Sequence, residues 1–154
     1  MITITINMAS LMSDIKVKSY MNTQRLKAED AYAVRAAEEN DAEVRQAVQD
    51  AWRDLVALCR EFLDTTNDTS GNDTLPGTIT GNRTLSFNVS TRRTSNIADS
   101  LAESAHSYLV ANALRRFYTS AAAADLAGGH KALEDLSAQS INNLLYKKAE
   151  PIYA

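Results

Sequence analysis

Residues 40–62 constrain this chain most. Val44, Ala47, Val48, Ala51, Leu55, Leu58 and Phe62 recur at i, i+3, i+4 and i+7, the spacing that aligns side chains on one helix face. Trp52, Val56 and Cys59 widen the stripe, so this face is the core of the fold. Asn40 can cap the helix, with Glu43 three residues on reaching back, and Asp41 and Glu43 suit the positive end of the helix dipole.

The rest of the chain must pack on that face. Ser95 or Asn96 can cap a further helix reaching about residue 124, with a broad stripe of Ile97, Leu101, Ala105, Tyr108, Leu109, Asn112, Ala113, Arg116 and Phe117. Its width and small residues predict close packing on two sides and a central position. Gly128 and Gly129 predict a break. A last helix then starts at about Lys131, with Leu133, Leu136, Ile141, Leu144 and Leu145 facing inward and Lys147 and Lys148 at the negative dipole end, until Pro151 stops it. Between Asp14 and Glu39 there is no Gly or Pro, and the composition favours one long or two short helices with a thin stripe of Ile15, Tyr20, Met21, Tyr32 and Val34.

Two stretches read as strand. Ile2-Thr3-Ile4-Thr5-Ile6 alternates with the period of a half-buried strand. Thr78-Ile79-Thr80 and Arg83–Val89 flank Gly81-Asn82, a pattern that predicts a hairpin with a type II′ turn and with Leu85, Phe87 and Val89 on one face. Residues 64–77 are nearly all turn-forming and read as a polar loop, and 150–154 as an apolar tip. The expected fold is mainly α, a single domain over 1–154 of about four helices with a small β-hairpin and a short N-terminal strand.

Composition excludes more than it selects. At 154 residues and 45% hydrophobic the chain holds one core, and no stretch approaches the roughly 20 apolar residues of a membrane span. A single cysteine rules out an internal disulfide framework, and the opening residues lack a secretory signal, so a soluble protein of a reducing cytoplasm is expected. A formal charge of −3 argues against nucleic-acid retention as the main task.

Catalytic groups are sparse. His106 beside Glu103 and Ser107 could imitate a triad, but such neighbours arise on any polar helix side. His130 after the glycine pair reads as a first helical turn rather than a metal ligand, and Cys59 as a small hydrophobe. There is no phosphate loop, G-x-G-x-x-G, C-x-x-C or H-E-x-x-H. Matches to N-x-[ST] at Asn67, Asn72, Asn82 and Asn88 follow from an Asn/Thr-rich segment. Arg92-Arg93 and Arg115-Arg116 read first as surface partners of Asp99 and Glu103. No enzyme, cofactor or metal is expected. The sharper signals are places where another chain could attach: strand addition at Ile2, Ile4, Ile6, Ile79 and Phe87, and an apolar anchor at Ile152 and Tyr153. The alternative is that the N-terminal strand completes a small sheet within its own chain.

The order of elements, with Tyr108-Leu109-Val110 followed by Phe117-Tyr118 and a last helix ending Lys147-Lys148-Ala-Glu-Pro151-Ile-Tyr153, resembles the small head–tail connector (neck or adaptor) proteins of tailed bacteriophages, particularly those of gut Bacteroidales phages, over most of residues 40–153. The resemblance implies a virion protein assembled in the bacterial cytoplasm. It implies a homo-oligomeric ring of roughly twelve copies, bound to portal and to tail or neck proteins, with no membrane contact. Viral DNA would pass transiently through the ring, near Arg92 and Arg93, and a net negative wall would keep it moving. The competing expectation is a cytoplasmic helical adaptor or regulatory module that binds a protein partner without catalysis.

Overall fold

The computed structural model describes residues 2–25, 42–63, 82–87, 96–120 and 124–146. Of these, 87% are helical, as the sequence predicts for a mainly α fold. The elements in chain order are β1 (Ile2–Asn7), α1 (Met8–Arg25), α2 (Ala42–Cys59) with a 3-10 turn at Arg60–Phe62, β2 (Asn82–Phe87), α3 (Asn96–Ser120) and α4 (Ala124–Tyr146).

The N-terminal strand does complete a sheet within its own chain. β1 pairs antiparallel with β2, Ile2 opposite Phe87, Ile4 opposite Leu85 and Ile6 opposite Arg83. Alternation then sorts the faces: Ile4, Ile6, Leu85 and Phe87 are buried, while Thr3 and Thr5 are exposed and Thr3 shares a 3.1 Å hydroxyl hydrogen bond with Ser86. Of the predicted hairpin only the second arm, β2, falls among the described residues; the first arm at 78–80 and Gly81 lie outside them. Asn82 is a strand residue paired with Asn7, not a turn residue, because the isoleucine face of β1 offers Leu85 and Phe87 a long apolar partner. On the far side of β2, Leu63 bridges to Phe87.

β1 runs directly into α1. The Asn7 side chain accepts a 3.0 Å hydrogen bond from the Ser10 amide, capping a helix that starts several residues before the predicted Asp14. Met8, Leu11, Met12, Ile15 and Ser19 form its buried face. α2 buries the predicted stripe, including Trp52, Leu55 and Cys59, and the Arg83 guanidinium lies 5.6 Å over the Trp52 ring.

α3 is central, packing on α1, α2, α4 and β1. Every residue from Tyr108 to Leu114 is buried, which requires neighbours all round. α4 departs from expectation twice. It is continuous through Gly128 and Gly129, both exposed, and extends back to Ala124. Its inward face is Ala127, His130, Glu134, Ile141 and Leu145, so Leu133 and Leu136 point outward. The cause is that His130 and Glu134 find polar and aromatic partners on α3 and occupy the inner positions. Among the described residues no helix is long and apolar enough to cross a membrane.

The predicted loop 64–77, the arm at Ile79, Arg92, Arg93, Ile152 and Tyr153 lie outside the described residues, as do Asn40 and the stripe positions Tyr32 and Val34.

Candidate functional site

The densest chemistry sits where α2, α3 and α4 meet. Asn112, fully buried at 0% exposure, occupies the apolar stripe of α3. Its amide donates to Asp54 of α2 at 2.9 Å and to Glu134 of α4 at 3.0 Å, with a longer 3.4 Å contact to the Tyr108 hydroxyl. Its carbonyl accepts from Arg116 Nε at 2.8 Å, so both ends of the side chain are satisfied. Arg116 also donates to Asp54 and Arg115 to Glu134, each at 2.5 Å. Two carboxylates and two guanidiniums thus cancel around one amide.

The electrostatics favour a locked structure over a reactive one. Burial would raise Asp54, but hydrogen bonds from Asn112 and Arg116 and the charges of Arg116 and Arg115 outweigh it and hold the carboxyl below its ordinary 3.8. Burial, reinforced by Asp54 and Glu134, pushes the Tyr108 phenol up to about 12. A carboxylate held ionised and a phenol held neutral are poor proton carriers near neutrality. What the junction does fix is register, since sliding one helix past another would leave a buried charge without its partner.

The arginine pair was expected to meet Asp99 and Glu103 on the surface, but Arg115 meets Glu134 and Arg116 meets Asp54. Both acids come from other helices.

His106 meets neither Glu103 nor Ser107. Its Nε2 lies 2.6 Å from Asp14 of α1 and ties that helix to α3 at the surface. His130 stacks on Tyr118 with ring centroids 5.5 Å apart, and burial together with the Lys18 charge holds its imidazole below the ordinary 6.5. Burial pushes the Cys59 thiol up to about 12. Among the described residues no three His, Cys, Asp or Glu side chains group as metal ligands do.

Of the predicted contact residues, Ile4, Ile6 and Phe87 are no more than 2% exposed, so their side chains serve this chain's own core and are not available to a neighbour. The outward apolar groups lie elsewhere: Val17 at 52%, Leu133 at 50% and Leu136 at 63% exposure. The sequence reading missed them by assigning both leucines to the core. The signal was the pair of polar residues His130 and Glu134, one turn apart on the face that packs inward.

Depressions open on the surface of the described residues. A cleft of about 570 Å³ between α2 and α3 is lined by Glu43, Gln46, Asp50, Arg115, Arg116 and Phe117 among others. A groove of about 320 Å³ lies over α3 between Lys18 of α1 and Leu133, Leu136, Ser137 and Ser140 of α4. Compared with known proteins, the chain matches no family model, no curated protein and no solved structure.

Proposed function

We propose that this chain works by lying against other proteins, as a non-catalytic structural subunit of the head–tail connector kind, forming a ring between portal and tail. The observation that supports this most is the outward placement of Leu133 and Leu136 on a helix whose inner face carries His130 and Glu134. Large exposed apolar side chains grouped beside a groove mark contact surfaces. The ionisable groups of the helix junction, in contrast, are engaged with one another. The element order and the net charge of −3 fit a subunit past which a polyanion must slide.

Removing Met1–Asn7 would not test this reading, because Ile4 and Ile6 belong to the core and their loss would unfold the subunit. Light scattering of the purified chain, alone and mixed with a portal ring, is the direct test. Rings or a portal complex are the expected result, and a monomer that ignores portal and neck proteins would refute it. A helical adaptor using the same leucines would instead bind one partner at one-to-one stoichiometry and form no ring.

A further inference from the structure

A strand has two edges, and within this chain β1 uses one. β2 lies along one side, and among the described residues no backbone partner lies along the other. That edge presents the amides and carbonyls of an extended backbone to whatever approaches. The far side of β2 differs, since Leu63 already bridges to Phe87 there. Nothing in β1 guards its edge. Ile-Thr-Ile-Thr-Ile-Asn holds no charge and no proline, the devices that commonly keep strand edges apart, and Thr3, Thr5 and Asn7 are exposed.

We propose that this edge pairs antiparallel with β1 of a second copy about a two-fold axis, giving a four-stranded sheet in the order β2-β1-β1-β2 with Ile4 of one copy opposite Ile4 of the other. The contact is separate from the leucine surface of the proposed ring and does not rest on it.

Cover for the added side chains selects this occupant. Any strand joining here turns alternate side chains toward the isoleucine face, where they need an apolar seat. Neither depression described above is lined by a β1 residue, so a free peptide would find main-chain partners without pockets. A second β1 brings its own cover, because its Ile4 and Ile6 are already buried where β1 packs on α3. Two uncharged strands also meet without repulsion. The symmetric contact consumes both edges and so closes.

Parity fixes the register. Opposed residues must both be isoleucine positions or both threonine positions, or the two faces would exchange. Ile4 against Ile4 sets Ile2 against Ile6 and Thr3 against Thr5, which uses the whole alternation and leaves Asn7 to cap α1. The threonine face already carries one cross-strand hydroxyl pair, Thr3 with Ser86.

Sedimentation velocity on the full chain, with circular dichroism checking the fold, tests the pairing. Within the chain Thr3 and Thr5 lie opposite the uncharged Ser86 and Thr84, so charges placed at these exposed positions meet no like charge in their own sheet. Thr3→Lys with Thr5→Lys sets lysine against lysine across the two-fold, and should dimerise at least tenfold more weakly than wild type. Thr3→Glu with Thr5→Glu should do the same. An equimolar mixture of the two should recover a one-to-one dimer, and Thr3→Glu with Thr5→Lys, which meets its own complement, should dimerise alone. A wild type that stays monomeric at high concentration, a dimer that both like-charged variants retain, or a mixture that recovers nothing would overturn the pairing. If the mixture pairs but Thr3→Glu with Thr5→Lys does not, the Ile4 register is wrong. Rings that form undiminished by every one of these substitutions would overturn the edge contact and leave the ring standing.

Discussion

Replacing Gly128 and Gly129 by alanine should stabilise the protein. Both glycines lie inside α4, exposed, and a Cβ added at either meets no atom within 4 Å. No contact is gained and none is violated, so the change isolates backbone entropy and helix propensity. In a helix interior that difference is about 0.8–1 kcal/mol per glycine. The double variant should gain about 2 kcal/mol, roughly 4–8 °C in Tm for a domain of this size. With a urea slope of about 2 kcal/mol/M the unfolding midpoint should rise by about 1 M at unchanged slope. Far-ultraviolet circular dichroism against urea, for both single variants and the double, measures this directly. A loss of stability at either position would refute the reasoning. It would mean that the glycine uses a backbone conformation alanine resists, and so that the helix breaks there, as a Gly-Gly pair read in isolation suggests.

Asn112→Ala should cost about 2 kcal/mol, since it withdraws the common partner of buried Glu134, half-buried Asp54 and a guanidinium, and Asn112→Asp should cost more by placing a third negative charge between Asp54 and Glu134; chemical denaturation ranks the two. Stability should fall with acidification in two windows. His130 holds its proton less readily folded than unfolded, so its share is complete above 6.5 and is lost as pH drops from there toward its lower folded value, and His130→Phe should flatten this part of a stability–pH curve. Asp54, with its carboxyl lowered, contributes above 3.8 and loses that share as pH falls toward its folded value. Cys59, 1% exposed and with its thiol pushed up to about 12, should react with a thiol reagent at neutral pH only at the rate of global unfolding, as stopped-flow absorbance would show.

Patterns local in sequence were legible. The stripe from Val44 to Cys59 and the alternation of Ile4 and Ile6 each report one face of one element, and burial follows them except at Leu58, which is only half-buried. The start of α1 at Met8 was missed because its cap, Asn7, is itself the last residue of a strand. Pairings across the chain were not legible. Asn112 falls within the predicted stripe without further distinction, its acids lie 58 and 22 positions away, and nothing short-range singles out Asp54 or Glu134 from the other carboxylates. The same limit explains Leu133 and Leu136. Leucine spacing alone cannot reveal that an inner position will be taken by a charged side chain with a partner waiting on the next helix.

The sheet has a consequence for how the chain is made. Thr3 and Ser86, bonded across it, are 83 positions apart, so β1 cannot find its ladder partner until the residues between them have been made. At roughly 5–20 residues per second that is an interval of seconds, during which Ile4 and Ile6 have no sheet to join. Pairing between distant segments is slow in any case, because the intervening loop must first be closed. Synthesis would therefore set the pace at which the chain can complete its sheet.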